Sequence, residues 1–217
     1  MANKAQNTAF RLAALAAALL PVYASLAQSQ DAAEIDKLTK PGSVIEFGAG
    51  YVDEDNNRFG QYNGLNEKGG YGLLDFNINR RNEETGNWLQ FSGSNVGLDM
   101  RKLRFDHRTQ GNWGYFVQYD QIPRYSQYVV NTGLAGIGSG TVTINGQPLR
   151  DVQLETQRKA WTLGLDKALP AGWDVQFRYR SEEKTGSRIW GQGTTGGAGQ
   201  FQFLADPIDY NTQQFEA

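Results

Sequence analysis

From Lys102 to Arg108 the chain alternates so strictly that only a β-strand accommodates it. Successive side chains of a strand point to opposite faces, so Leu103 and Phe105 share one face while Lys102, Arg104, Asp106 and Arg108 share the other. Six further segments carry the same period of two. In the first, Ile45, Phe47, Ala49 and Tyr51 oppose Glu46, Gly48 and Gly50. In the second, Leu74, Phe76 and Ile78 oppose Asp75, Asn77 and Asn79, and in the third Leu89 and Phe91 oppose Gln90, Ser92 and Ser94. The fifth sets Trp113, Tyr115, Val117 and Tyr119 against Gly114, Phe116, Gln118 and Asp120. The sixth sets Trp161, Leu163 and Leu165 against Arg158, Thr162, Gly164 and Asp166. The seventh sets Trp173, Val175, Phe177 and Tyr179 against Asp174, Gln176, Arg178 and Arg180.

The connections are as informative as the strands. Long polar stretches follow the first, fifth and seventh strands, from Val52 to Lys68, from Ile122 to about Glu155 and from Arg180 to about Pro207. Counting strands places all three on one edge. The tight reversals around Glu84, Gly111 and Pro170 lie on the opposite edge, and the one near Gly97 is also short. Long loops on one edge and tight turns on the other predict an all-β, antiparallel transmembrane β-barrel of the outer-membrane type. A soluble β-sandwich also alternates, but it has no reason to segregate its long loops. Turning the fourth strand over would place Lys102, Arg104 and Asp106 in hydrocarbon, at about 2–4 kcal/mol for each basic residue at mid-bilayer. The charges that share the outward parity, Arg80, Arg101, His107 and Lys159, fall toward strand ends, where long side chains reach the headgroups. Trp113 and Trp173 begin their strands, and Tyr51, Tyr119 and Tyr179 end theirs, an arrangement expected of aromatic girdles at two membrane interfaces.

Lys4 and Arg11, the apolar run Leu12–Leu20, Pro21, and the small residues Ser25 and Ala27 read as a secretory signal peptide over residues 1–27. A polar periplasmic tail is expected over 28–41, and barrel wall over 42–217. No other stretch approaches the roughly 20 apolar residues of a membrane helix. A net charge of −2 gives no basic field for nucleic acid. The absence of cysteine excludes disulfides, cysteine-ligated zinc and covalent haem attachment within these residues.

Several motifs invite chemistry and fail on context. Gly191-Gln192-Gly193-Thr194-Thr195-Gly196 spells a dinucleotide fingerprint, but no helical period follows to aim an N-terminus at a pyrophosphate. Asp53, Asp55 and Asn57 imitate the start of a calcium loop, yet Arg58 stands where glycine is needed and Gly64 where a bidentate glutamate is needed. His107 is the single histidine and reads as an interfacial residue. Glu83-Glu84 and Glu182-Glu183 read as solvated charge in turns. Asn145-Gly146, between Thr141–Ile144 and Gln147–Val152, predicts a small hairpin with a type I′ turn. No set of nucleophile, base and oxyanion donors assembles, so no enzyme is expected.

The stretch Ser43-Val44-Ile45-Glu46-Phe47-Gly48-Ala49-Gly50-Tyr51-Val52, followed by Arg58-Phe59-Gly60-Gln61-Tyr62-Asn63-Gly64-Leu65, resembles the opening of the MtrB/PioB family of decahaem-associated outer-membrane proteins. Asn95 to Arg101, Tyr119-Asp120-Gln121-Ile122-Pro123-Arg124 and Asp206-Pro207-Ile208-Asp209-Tyr210 resemble it too. The resemblance implies a non-catalytic barrel of the bacterial outer membrane, wrapped around a periplasm-facing multihaem (decahaem) c-type cytochrome, with an extracellular cytochrome as a further candidate partner. The haem belongs to the cytochrome; the barrel binds no cofactor or metal, and excludes lipid from the wire. Inward-facing Lys102, Arg104, Asp106, Arg158, Asp166, Arg178 and Arg180 are then candidates to touch the cytochrome, or else to pair with each other. A general porin with a water-filled lumen is the alternative, and a secreted soluble β domain a third. Some relatives carry a C-x-x-C that this chain lacks. Family barrels also have many more strands than the seven, and the start of an eighth, read here. Gln213–Ala217 falls short of the roughly 9–11 residues of a spanning strand. An odd, open set would leave backbone groups unsatisfied in lipid, so the chain is expected to be the N-terminal part of a larger barrel.

Overall fold

A computed structural model describes residues 42–144, 146–193 and 201–217. The expected signal peptide and the expected periplasmic tail both lie outside them. Eight strands form one antiparallel sheet: β1 (Val44–Val52), β2 (Gly69–Asn82), β3 (Asn87–Ser94), β4 (Arg101–Thr109), β5 (Trp113–Thr132), β8 (Arg150–Ala168), β9 (Asp174–Gly193) and β10 (Phe201–Glu216). Each pairs with its neighbour in chain order, and β1 and β10 are the two edges. A second, two-stranded ladder joins β6 (Leu134–Ala135) to β7 (Thr143–Ile144) within the β5–β8 connection. A single 3-10 turn, Pro170–Gly172, links β8 to β9.

The turns have local causes. Gly86 and Gly111 take positive φ where the β2–β3 and β4–β5 reversals need it, and the Asn82 Oδ1 accepts the Thr85 N–H at 3.1 Å in the first. Asn95, at φ 54°, opens the β3–β4 connection, where its N–H donates to Asp75 Oδ1.

Four sequence expectations need correction. The stretches after Ile122 and Arg180 are not wandering loops, because β5 continues to Thr132 and β9 to Gly193 as paired strand. The eighth strand is not a mere start: β10 pairs with β9 from Phe201 to Glu216, and the Asp206–Tyr210 segment lies inside it. The Asn145-Gly146 hairpin is paired differently, since Thr143–Ile144 bonds to Leu134–Ala135 while Arg150–Val152 bonds to Val130–Thr132. Asn145 itself is outside the described residues; Gly146 has φ 75°. Glu182 and Glu183 sit in β9 rather than in a turn, whereas Glu83 and Glu84 are in the β2–β3 turn as expected.

The sheet buries little of its outward face. Phe47 is 83% exposed, Trp161 57%, Val175 51% and Phe215 67%, all of outward parity. An apolar face that large left to water would be a severe aggregation hazard, and hydrocarbon removes it. Among the described residues, the one compact apolar cluster (Val130, Leu154 and Ala205, with Ile137, Val152 and Ile189) lies in the long-strand extensions, away from the exposed apolar residues just named.

Candidate functional site: the polar face and two aromatic lines

Register brings the inward-parity residues into rows that run across the strands. One row is Ser92, Arg104, Gln118, Thr162, Arg180 and Gln214; the next is Gln90, Asp106, Phe116, Gly164, Arg178 and Glu216. These residues pair among themselves. Arg104 donates to both oxygens of Asp106, at 2.7 Å from Nε and 2.6 Å from Nη2. Its Nη1 donates to Gln118 Oε1 at 2.9 Å, and its guanidinium lies 3.8 Å above the Phe116 ring. Gln118 in turn donates to Asp120 Oδ2 at 2.7 Å. Gly164 opposes Phe116 because a Cβ there would overlap the ring.

Glu182 ties three strand positions together. Its Oε1 receives Arg158 Nε at 3.0 Å and its Oε2 receives Arg180 Nη2 at 2.9 Å, while its own side chain is only 16% exposed. Arg180 Nη1 also donates to Thr162 Oγ1 at 3.4 Å. Arg178 pairs with Glu216 at 3.3 Å, and Asp166 stands 3.9 Å from Arg108. Of the seven inward residues singled out from sequence, six are in ion pairs, and Lys102 makes none among the described residues. Sequence reasoning missed Glu182 and Glu216 because it ended their strands too early. The signal was available in the parity of Glu182 with Arg180. Toward the tight-turn edge the face opens into a trough of about 910 Å³ lined by Arg81, Trp88, Arg108, Phe116, Asp166 and Glu216 among others.

The outward face carries the aromatic marks, though Tyr119 and Tyr179 lie inside their strands rather than at the ends. What they end is the apolar run. Arg101, Gln121, Lys159, Glu183 and Asn211 form one registered polar row beyond it. Tyr51 pairs with Gly70, six residues along β2 from Phe76, whose row leads through Gly93 and Leu103 to Tyr119; Tyr179 is two residues the other way. Tyr51 and Tyr179 thus differ by eight residues over six strand steps, about 27 Å along the strands against about 29 Å across them. The tyrosine line is inclined to the rows by about 43°, within the 35–45° strand tilt of outer-membrane barrels. On the other edge Trp113 pairs with Lys167, Lys167 with Val175, and Trp173 is two residues further, a second line sloping the same way. Tilted strands therefore bring each line level. Trp113 stacks on Tyr115 at 5.7 Å and meets the His107 ring at 5.0 Å, so His107 packs within this aromatic group.

Beyond the polar row, the loop over 53–68 extends the wall. The β5 backbone past Gln121 has no β4 partner, and Tyr125 N donates to Gln61 O at 2.9 Å instead. Tyr125 Oη donates to Asp99 Oδ2 at 2.8 Å. Burial, the Asp99 hydrogen bond and nearby carboxylates raise the Tyr125 pKa, so the phenol remains a donor. Burial, then Asp99 and Glu67, raise that of Glu155. Of Asp53, Asp55 and Asn57, Asp55 accepts the Lys68 N–H and Asn57 donates to Gln153, and no group of three His, Cys, Asp or Glu residues placed to hold a metal occurs among the described residues. Of Gly191–Gly196, the first three residues are in β9 and the rest lie outside the described residues.

Comparison with known proteins agrees with this geometry. The MtrB/PioB outer membrane beta-barrel porin model matches residues 51–217. Outer membrane protein MtrB of Shewanella baltica (strain OS185) is 27% identical over 198 residues, covering 82% of this chain and 27% of that protein. The chain therefore spans about a quarter of the length of that curated relative.

Proposed function

Because the chain belongs to the MtrB/PioB family of outer-membrane β-barrel porins, we propose that it forms part of a transmembrane barrel wall that sheathes a multihaem c-type cytochrome for electron transfer across the outer membrane. Residence in the outer membrane follows from the family, which is a porin family and not an enzyme class. The sheathing role rests on the family resemblance together with one observation, the inner face whose arginines are held by its own carboxylates. Ion-selective pores leave rings of charge of one sign facing the lumen. Here the guanidinium of Arg104 is matched to Asp106, those of Arg158 and Arg180 to Glu182, and that of Arg178 to Glu216. A wall paired in this way, with Arg158 and Arg180 sharing Glu182, presents a polar face of compensated rather than single-sign charge to a protein cargo. Lys102 and the trough residues Arg81 and Trp88 remain to meet the cargo directly. Haem is carried by the partner; the barrel contributes insulation from lipid and a fixed seat.

The test is extraction of the protein from outer membranes in mild detergent, followed by size-exclusion chromatography with haem staining. Co-elution with a multihaem cytochrome is expected, and Arg81→Glu with Lys102→Glu should weaken it. A haem-free protein that gives steady conductance in planar bilayers would instead establish a water-filled porin.

A further inference from the structure

The β8–β9 ladder stops at the pair Thr156–Gly186, yet β8 begins six residues earlier, at Arg150, and β9 runs on to Gly193. Beyond that pair the two hairpins pack through side chains. Val152 and Leu154 have the inward parity of Thr156 and Arg158, and Val130 pairs with Val152 on the same face. Ile189 and Ala205 have the outward parity of Tyr179 and Phe215. These two sets meet in one cluster, in which Leu154 is 0% and Ala205 4% exposed. Strands that continued side by side could not bring an inward face onto an outward one. The β9–β10 hairpin must lie on the inner side of the β5–β8 hairpin. Gly186 is where it departs: φ is 125°, and a Cβ there would overlap the Glu155 carbonyl. Ser187 Oγ, 2% exposed, accepts the Gly138 N–H at 3.0 Å and fastens the hairpin to the β5–β8 connection.

We propose that the β9–β10 hairpin is an inner lip that narrows the extracellular mouth of the barrel. Stacked β layers sit about 10 Å apart, so the mouth is closer to the axis by about that much on this side. The lip turns Arg188 and Trp190 inward, with Arg188 paired to Asp206 at 2.7 Å. The lip depends on the barrel, not on what fills it, so loss of cytochrome co-elution would leave it standing.

Two measurements on the protein in outer membranes or bilayers test it. Cysteines replacing Val130 and Ala205 should cross-link under mild oxidation or with a short bismaleimide, and Leu154→Asp should raise single-channel conductance of cargo-free protein about two-fold or more. Absence of cross-linking in protein that is assembled and heat-modifiable would overturn the proposal. So would unchanged conductance in Leu154→Asp once the hairpin has become protease-accessible. Should Leu154→Asp fail to assemble, the cysteine pair decides alone.

Discussion

Glu182→Ala removes the one carboxylate shared by two arginines. Both its oxygens are engaged, at 3.0 and 2.9 Å, and its side chain is 16% exposed, whereas Arg158 and Arg180 are 46% and 34% exposed. A hydrogen bond to a charged group contributes about 1.5–3 kcal/mol, and an exposed pair about 0–1 kcal/mol. Half-exposed arginines place each of these two bonds between those limits, for a total of about 2 kcal/mol, or roughly 30-fold in the unfolding equilibrium. Two unpaired guanidiniums then face each other across the Ala160 position, which adds repulsion. Urea titration in lipid bilayers, followed by tryptophan fluorescence, measures the loss. Combining Glu182→Ala with Arg158→Ala should recover part of it, since the second change removes a cation already orphaned. A loss below about 0.5 kcal/mol, or strict additivity of the pair, would mean that the fork is a decoration of the wall and not a tie within it.

Phe105→Arg should lower bilayer stability by about 2–4 kcal/mol, read in the same titration, because it places a guanidinium in the middle of the outward apolar run. Gly164→Val should force the Phe116 ring off its site beneath Arg104 and cost about 1–3 kcal/mol of overpacking, with the displacement visible by NMR of labelled phenylalanine. The Glu155 pKa is raised above its ordinary 4.5 by burial and by Asp99 and Glu67, the last at the end of the 53–68 loop, so the stability Glu155 contributes is fullest below that value and is lost as pH rises through the folded value and its charge opposes Glu67. Proteolytic nicking of that loop should therefore be slower at pH 5 than at pH 8, by a margin that Glu155→Gln removes.

The faces of the strands were legible because lipid and lumen impose different chemistry on alternate residues. The division of Lys102 to Arg108 into two faces of one strand was legible from sequence alone, and so were the tight turns. Strand ends on the other edge were not legible. Past Ile122 and Arg180 the outward face no longer has to meet acyl chains, the alternation is no longer required, and the backbone ladder continues without a sequence signal. That is why Glu182 was read as solvated and β10 as a stub. The irregularity between Tyr125 and Val129 further shifts the β5 register where it would otherwise pair simply with β8. The tyrosines were expected to mark a girdle, but their slope across the rows needed the register, since no single strand carries it. The inner lip was invisible because Val152, Leu154, Ile189 and Ala205 read as ordinary strand residues until the folded-over hairpin brings them together.

Spin labels placed one at a time from Lys102 to Arg108 in the assembled protein would report, by collision with oxygen and with a water-soluble nickel complex, which solvent each position meets. Oxygen accessibility should peak at 103 and 105 and nickel accessibility at 102, 104 and 106, in opposite phase along β4. Equal accessibility of both faces to the nickel complex would mean that no acyl chains cover Leu103 and Phe105, and the wall described above would not exist.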